Sequence, residues 1–340
     1  MGGAPREFVE RDEASDRALR PKRFADFTGQ RAVTRNLALA VAAARQRGEP
    51  LDHVLLAGPP GLGKTTLAHI LAAEMGAEIT ETAGPLLEKP GDLAALLSAL
   101  RPGSLLFIDE IHSLKRVVEE YLYAAMEDFR IAVHLGEGPA SQVLTINLPP
   151  FTLVGATTRE GSLTAPLRSR FAIRERLDLY GVDELLQILE RSARLLGVAA
   201  DAEGLRPIAR RSRGTARIAN NLLRRIRDLA QVHHGNRITA AVAEEGLAML
   251  GIDEHGLTEL DRRILHCLCR HRRPVGLKTI AQTVDEEETT IEEMHEPYLV
   301  QAGFLLKTAQ GRLATPAAYR HLGLPPPSEP PTLAQQDLFA

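Results

Sequence analysis

The sequence predicts an α/β doubly wound parallel sheet, followed by a helical lid domain and a C-terminal winged helix. Three observations carry this prediction. Apolar strands alternate with helical stretches from about residue 19 to 180, helical periodicity fills residues 183–251, and three helical segments precede two short alternating runs within residues 257–322. The 340 residues suffice for several domains. The predicted divisions are a flexible tail (1–16), the sheet domain (17–181), the lid (182–254), the winged helix (255–323) and a proline-rich, disordered tail (324–340).

The stretch GPPGLGKTT, residues 58–66, follows the first predicted strand and opens a helix. It has the spacing G-x-x-x-x-G-K-[ST], in which backbone amides surround the phosphates of a nucleotide and the lysine neutralises the β and γ phosphates. We therefore expect ATP to bind here, with Lys64 on the phosphates and the hydroxyl of Thr65 on Mg²⁺. The expected nucleotide contacts in this loop are Gly61, Leu62, Gly63, Lys64, Thr65 and Thr66.

Polar residues end the next two predicted strands of the sheet. Asp109 and Glu110 follow the apolar run 104–108, which places Asp109 near the metal and Glu110 where it orients and deprotonates the attacking water. Thr157 and Thr158 end the run 151–156, so one of their hydroxyls either senses the γ phosphate or caps a turn. We assign Thr158 to the catalytic set.

Two alternating runs around a turn predict a β-hairpin at about residues 130–147. Inserted between strands of the sheet, the hairpin either exposes Ile131, Val133 or Leu135 as a docking arm for a partner or folds onto its own core. Arg168 and Arg170 follow it. These arginines could form salt bridges, or one of them could complete the active site of a neighbouring subunit. The second interpretation requires a ring of subunits.

Composition excludes several classes of protein. The net charge of −3 argues against a strongly basic coat for nucleic acid, although two acid-free, arginine-rich runs, 206–227 and 262–278, are either phosphate-facing surfaces or solvated helix faces. No apolar segment is long enough for a membrane span, and the acidic N-terminus does not resemble a targeting signal, so we expect a cytoplasmic protein. Cys267 and Cys269 are predicted core thiols, and their spacing from the histidines predicts no zinc site.

Several further segments make the chain resemble the RuvB family, AAA+ ring motors that drive branch migration of Holliday junctions together with RuvA. The matches extend over about residues 19–323, and the most specific are Leu-Pro-Pro-Phe-Thr-Leu at 148–153 and Gly-Asp-Leu-Ala-Ala at 91–95. Less specific matches lie at residues 19–22, 58–66, 107–112, 125–128, 155–159, 211–215 and 296–299.

The resemblance implies roles for residues that spacing alone does not assign. In that family, Arg170 is the finger that acts on a neighbouring subunit, Arg217 is the lid sensor of the γ phosphate, and Lys307 and Arg312 hold DNA phosphates. It also places these residues at the nucleotide: Leu19, Arg20, Glu127, Asp128, Phe129 and Tyr180. The implied assembly is a homo-hexamer on a Holliday junction or duplex DNA, with the predicted hairpin docked on RuvA and RuvC as a further partner.

The sequence also departs from the family pattern. Ala216 stands before the lid arginine where proline is usual, Ser113 replaces an arginine, and Ala172 replaces a glycine. In the winged helix, Glu288 and Gln310 occupy positions where the family uses arginine. An acid repels phosphate, so these two changes bear on how DNA is held rather than on ATP hydrolysis.

The C-terminal residues QQDLF, 335–339, resemble the short peptide with which bacterial proteins bind the replication sliding clamp. In such peptides a glutamine anchors the chain and a leucine and a phenylalanine enter an apolar pocket. Gln335, Leu338 and Phe339 would take these roles, and an unremarkable tail is the alternative.

Two functions from different classes remain open on the sequence alone. The winged helix and the predicted arm favour an ATP-driven DNA motor. Glu288 and Gln310 leave room for a switch similar to a clamp loader, which acts on a protein partner. A protein unfoldase would need an aromatic pore loop, and the sequence gives no sign of one.

Overall fold

The computed structural model describes residues 18–135 and 142–326, and its centre is a five-stranded parallel sheet. The spatial order is β2-β3-β6-β1-β7, so β3 and β1 flank β6. The strands of the first domain are β1 (Val54–Ala57), β2 (Ile79–Ala83), β3 (Leu105–Asp109), β4 (Arg130–Leu135), β5 (Gln142–Asn147), β6 (Thr152–Thr157) and β7 (Ile173–Arg176). Its α-helices are α1 (Arg31–Arg47), α2 (Lys64–Met75), α3 (Pro90–Ser98), α4 (Arg116–Asp128) and α5 (Ala165–Ser169). Single 3₁₀ turns span Phe24–Asp26, Gly84–Leu86, Ile111–Ser113 and Glu160–Ser162.

Helices cover both faces of this sheet. Successive strand residues point to opposite faces, and in β3 Leu105 and Phe107 join one apolar core whereas Leu106 and Ile108 join another. Within the first domain, the first core takes its α-helical residues from α1 and α2, and the second takes them from α3, α4 and α5. The predicted doubly wound sheet is therefore confirmed.

The hairpin formed by the fourth and fifth strands is also confirmed, and the burial of Ile131 distinguishes the two alternatives for this residue. β4 and β5 pair antiparallel from Arg130 with Asn147 to Leu135 with Gln142. Ile131 is 1% exposed, because the base of the hairpin packs against the core that contains Met126. For Ile131, the alternative in which the hairpin folds onto its core is therefore the one found. Leu144, on the facing strand, is 48% exposed, and the side chains at 133–143 lie outside the described part.

The second domain is helical, as predicted. Its helices are α6 (Val182–Leu195), α7 (Ala202–Arg210), α8 (Ala216–His233) and α9 (Ala240–Met249). The sequence did not predict a two-residue parallel pair, β8 (Ala199–Ala200) with β9 (Arg237–Ile238), which is too short to show a period. Apolar residues of the lid continue the core of one sheet face, so the lid packs directly on the sheet domain.

The third domain has the predicted winged-helix order and a core of its own. Its elements are α10 (Glu259–His271), α11 (Leu277–Val284), α12 (Glu288–Thr290), a π-helical turn (Ile291–His295), α13 (Glu296–Gln301), β10 (Leu305–Thr308), β11 (Gly311–Ala314) and α14 (Pro316–His321). Cys267 and Cys269 are buried free thiols in this core, as predicted. The π-helical turn was not predicted, and such turns often occur at functional sites.

A buried polar network joins the lid to the winged helix. The carboxylate of Asp261 in α10 accepts hydrogen bonds from Arg213 of the lid and from the Thr258 hydroxyl (2.6 Å). Nδ1 of His295, in the π-helical turn, donates to the same carboxylate at 2.7 Å. Arg213 also lies over the ring of Tyr298, 4.7 Å from its centroid. The two domains are therefore tied by a charge pair in which Asp261 is fully buried.

We expect this network to make the chain less stable in acid. Burial by itself raises the pKa of Asp261, but the hydrogen bond from His295, the charge of Arg213 and the bonds from Thr258 outweigh burial and lower that pKa to about 2. The stabilisation is present above the ordinary aspartate pKa near 4 and is lost as the pH falls from about 4 to about 2, a loss of roughly 2 kcal/mol. The measurement is the free energy of unfolding in urea at several pH values for wild type and Asp261→Asn. If the difference between the two proteins stays constant below pH 4, the carboxylate does not carry the effect.

Three predicted features lie outside the described residues: the N-terminal tail, the disordered C-terminal tail beyond residue 326, and the peptide with Gln335, Leu338 and Phe339. Binding to a sliding clamp therefore stays a prediction. Over residues 18–135 and 142–326, no helix combines the length and apolar character needed to cross a bilayer.

Candidate nucleotide-binding site

The loop between β1 and α2 has a backbone that favours glycine at defined positions. Gly58 and Gly61 have φ angles of 143° and 78°, in the region that side chains rarely adopt. A Cβ on Gly58 would lie 2.5 Å from the carbonyl oxygen of Leu177, and a Cβ on Gly61 would lie 3.0 Å from Cβ of Arg217. The loop is thus closely packed against the end of β7 and the lid, and it presents the unpaired amides at the start of α2.

Lys64 points its ammonium group into this loop. Nζ donates hydrogen bonds to the carbonyl oxygens of Gly58 (2.7 Å) and Pro59 (2.9 Å), and the residue is only 7% exposed. Burial lowers the pKa of Lys64, while the nearby carboxylates of Glu110 and Asp109 act in the opposite direction. A cation that is short of solvent and held by neutral carbonyl oxygens is suited to receive phosphate oxygens.

The two predicted acids lie at the end of β3, beside this lysine. Oδ1 of Asp109 accepts a hydrogen bond from the amide of Glu110 at 3.0 Å, and burial raises the pKa of Asp109. Glu110 itself has a φ of 47°, which turns its side chain away from the strand direction. The carboxylate of Glu110 accepts from the hydroxyl of Thr158 at 3.0 Å and lies 3.2 Å from Nδ1 of His112. Its orientation is therefore fixed from two sides.

The two threonines at the end of β6 have different contacts. The hydroxyl of Thr157 accepts from the amide of Arg159 at 3.0 Å, which is a turn cap, and it also lies 3.0 Å from Nδ1 of His112. Thr158 instead donates to Glu110. The turn cap expected as one alternative is therefore found on Thr157, whereas Thr158 is the residue next to the acid, and sensing of the γ phosphate stays a prediction.

Loop, acids and lid enclose a cavity of about 240 Å³. The structure brings these predicted residues together in its lining: Leu19, Arg20, Gly61, Gly63, Lys64, Thr65, Thr66, Asp109, Glu110, Tyr180 and Arg217. Leu62 does not line the cavity, but its carbonyl accepts a hydrogen bond from the hydroxyl of Tyr180, a lining residue, at 2.8 Å. The lid touches the loop directly, because the amide of Arg217 donates to the carbonyl of Gly61 at 3.3 Å.

Sequence reasoning missed two polar lid residues in the same lining, Arg191 and Asn220. Asn220 follows Arg217 by three positions on α8, and residues at that spacing share one face of a helix. That signal could have identified Asn220. Arg191 donates to the carbonyl of Leu19 at 2.6 Å, a contact between distant segments that no local pattern reveals.

A second group of predicted residues does not reach this cavity within one chain. Glu127, Asp128 and Phe129 lie at the end of α4, on the opposite face of the sheet. Glu127 instead pairs with Arg170 at 3.1 Å. Asp128 pairs with Arg130 at 3.2 Å, and Phe129 packs edge-on against a phenylalanine of the core. The structure therefore does not bring these three residues to the cavity of their own chain, and their contact with a nucleotide stays a prediction.

Arg170 lies at the centre of this second group. Besides Glu127, its guanidinium donates to the carbonyl of Pro166 at 2.8 Å and lies 4.5 Å from the ring centroid of Tyr123. Its Nε is buried and has no hydrogen-bond partner among the described residues. The Arg170 side chain is thus held in one position by these contacts, and its Nε–H donor has no acceptor among the described residues.

The two predicted DNA contacts are engaged with acids of their own domain. Lys307 and Arg312 are cross-strand partners in β10 and β11. Lys307 Nζ lies 2.7 Å from the carboxylate of Glu296, and Arg312 lies 3.0 Å from Glu296 and 3.3 Å from Glu292. Lys307 keeps 53% of its side chain exposed, whereas Arg312 keeps 16%. Of the two, Lys307 is better placed to meet a phosphate.

Together these features define the class of protein. A parallel sheet with a phosphate loop after β1, adjacent acids after β3 and a helical lid on the loop make the chain an AAA+ P-loop ATPase. Family models agree along almost all described residues. They match as the Holliday junction DNA helicase RuvB P-loop domain at 19–177, the RuvB AAA lid domain at 180–253 and the RuvB C-terminal winged helix domain at 254–323.

Solved structures agree with these matches. The Thermotoga maritima RuvB Holliday junction branch migration motor is 49% identical with a TM-score of 0.82, and the match covers 91% of this chain and 100% of that one. Two single-residue variants of that protein have the same identity, with TM-scores of 0.83 and 0.82, and cover 91% of this chain and 100% and 99% of theirs. The chain belongs to the RuvB family.

Proposed function

We propose that this chain is the ATP-hydrolysing subunit of a homo-hexameric ring that drives branch migration of Holliday junctions together with RuvA. The observation that carries the proposal is the contact between Glu110 and Thr158 beside Lys64 and Asp109. A carboxylate held in this way serves a water attacking a phosphate, and the same chain carries a winged helix.

The residues of the cavity fit ATP with Mg²⁺. Thr65 and Asp109 both line the cavity, and a hydroxyl and a carboxylate are oxygen ligands that Mg²⁺ accepts. When bound, Mg²⁺ supplies positive charge to the β and γ phosphates. Lys64 would exchange its two carbonyl partners for phosphate oxygens, and the amides at the start of α2 would bind the remaining phosphate oxygens.

Glu110 would act on the water. As the water oxygen bonds to the γ phosphorus, its proton passes to the Glu110 carboxylate, and the bond from that phosphorus to the bridging oxygen breaks to release ADP and phosphate. Thr158 would hold the carboxylate in this orientation, since its hydroxyl donates a hydrogen bond to one carboxylate oxygen of Glu110. Arg217 would follow the γ phosphate from the lid side and so transmit its loss to α8.

Arg170 would complete the site of the neighbouring subunit. It does not line the cavity of its own chain, and it carries a buried Nε without a partner beside Glu127 at the end of α4. A ring places this surface against the next subunit's cavity, where the guanidinium would stabilise the charge that develops on the transferred phosphoryl group. Glu127, Asp128 and Phe129 would approach that nucleotide from the same side.

Lid movement would reach DNA through the buried network of Arg213, Asp261 and His295, which makes the winged helix follow the lid. In a different part of the chain, the hairpin of β4 and β5 would dock on RuvA. Among the described side chains of β5, Leu144 is the large apolar side chain that is exposed and could contact such a partner. Contacts of Lys307 with phosphates would bind DNA of any base sequence, as a motor that moves along DNA requires.

A direct test is the dissociation of a labelled synthetic four-way junction by the purified full-length chain, with and without RuvA. We expect dissociation with ATP, stimulation by RuvA, and none with a slowly hydrolysed ATP analogue. ATP hydrolysis that proceeds without any junction dissociation would instead support the switch that acts on a protein partner.

Glu292→Gln should tighten binding to duplex DNA about fivefold at low salt, since it removes a carboxylate that lies 3.3 Å from Arg312 and 3.7 Å from Lys307. Fluorescence anisotropy with a labelled duplex measures the affinity over a range of salt. Glu293→Gln is the matched control: it removes the neighbouring charge, which pairs with Arg159 at 2.9 Å instead of the wing. Equal gains in both variants would mean that total charge, and not the pairing of the wing cations, sets the affinity.

A further inference from the structure

Two histidines and a glutamate converge where the lid meets the winged helix. Glu254 and His255 lie in the segment between α9 and α10, and His321 is the last residue of α14. One ligand atom from each residue lies within 4.8 Å of the other two. The ligands come from segments far apart in the sequence and include no cysteine, which is why motif spacing did not indicate them.

The surroundings orient the group. His321 is 9% exposed in its side chain, and its Nε2 hydrogen-bonds to the carboxylate of Asp253 at 2.9 Å. A carboxylate beside an imidazole in this manner is typical of histidines that bind metal. The ring of His255 lies edge-on to the ring of His321, with centroids 4.9 Å apart. Its peptide is fixed as well, since its amide donates to Asp253 at 3.0 Å and its carbonyl accepts from Tyr298.

We propose that Glu254, His255 and His321 form a binding site for a divalent transition metal ion of the Zn²⁺ class. Two imidazoles and one carboxylate are a donor set that suits Zn²⁺, with a water molecule completing four ligands. A tetrahedral zinc ion sets its ligand atoms about 3.3 Å apart. Glu254 and His255 are 75% and 51% exposed, so their side chains have room to close on the ion while His321 stays anchored.

The site differs in chemistry from the nucleotide site. Mg²⁺ prefers oxygen ligands and binds imidazole poorly, so the magnesium that ATP requires does not compete. A bound ion would tie the linker after the lid to the last helix of the winged helix. It would thus act beside the buried pair of Arg213 and Asp261 and stiffen the same junction.

The experiment is a zinc titration of the full-length chain in excess Mg²⁺, with the bound metal counted after equilibrium dialysis. We expect one Zn²⁺ per wild-type chain and at least a tenfold weaker affinity in the double variant Glu254→Gln, His255→Gln. Co²⁺ should give the intense visible absorption of a tetrahedral site in wild type only. His233→Gln is the control, since it removes an exposed histidine that lies beside another histidine in the lid.

Two results would overturn the proposal: equal zinc affinity in wild type and in the double variant, or an equal loss of affinity in His233→Gln. The two substituted side chains are on the surface, so the double variant should melt at the wild-type temperature without zinc. Added zinc should raise the melting temperature of wild type alone. A single Glu254→Gln variant, in which both imidazoles remain, should lie between the two in affinity.

Discussion

Replacing Glu110 with glutamine should slow ATP hydrolysis at least about a hundredfold while the chain still binds nucleotide. The amide has nearly the same shape as the carboxylate and can still accept the hydrogen bond from Thr158 at the end of β6. The amide cannot take a proton from water. A positioned general base typically accelerates a reaction by about a hundredfold or more. The loop, Lys64 and the lid remain unchanged, so the affinity for ATP should stay near that of wild type.

Two measurements separate chemistry from binding in this variant. Single-turnover hydrolysis gives the rate of the chemical step, and titration with a fluorescent ATP analogue gives the affinity. Glu81→Gln is a suitable control, because that glutamate lies on the edge strand β2 and pairs with His69 away from the cavity. Hydrolysis by Glu110→Gln at the wild-type rate would remove this carboxylate from the mechanism and leave the attacking water to another base.

The sequence predicted the nucleotide site well because its parts are local. The phosphate loop needs only a strand, a glycine-rich turn and a helix in succession, and each of these leaves a pattern within a few residues. The position of Asp109 and Glu110 follows from the rule that parallel strands end at one edge of the sheet. Leu19, Tyr180 and Arg217 came from the family resemblance, and the structure brings all three to the cavity.

Long-range contacts were beyond the reach of sequence patterns. The family resemblance assigned Lys307 and Arg312 to DNA phosphates, but it did not indicate that the π-helical turn and the start of α13 bring Glu292 and Glu296 against them. The sequence left open whether Ile131 is exposed or buried, because alternation in a strand does not reveal what packs against the base of a hairpin. Both depend on how separate elements pack together, and such packing leaves no periodic signal.

Arg170→Ala should reduce the ATPase rate of the assembled ring about a thousandfold, with each chain still binding nucleotide. An arginine finger supplied by a neighbouring subunit typically accelerates hydrolysis by about a thousandfold or more. Arg170 does not line the cavity of its own chain, so its removal leaves Lys64, Asp109 and Glu110 in place. Steady-state ATPase and nucleotide titration measure the two effects. Arg168→Ala, a change in the short helix that ends immediately before Arg170, is the matched control.

A mixture of two inactive variants tests whether the arginine acts across a subunit interface. In a head-to-tail ring, each site combines the cavity of one chain with Arg170 of the next. An equimolar mixture of Arg170→Ala and Glu110→Gln chains therefore contains complete sites, about a quarter of the total if the chains mix at random. ATPase activity should return in the mixture, although neither variant is active alone. If mixed rings assemble and stay inactive, Arg170 acts within its own chain, through its contacts with Glu127 and Tyr123.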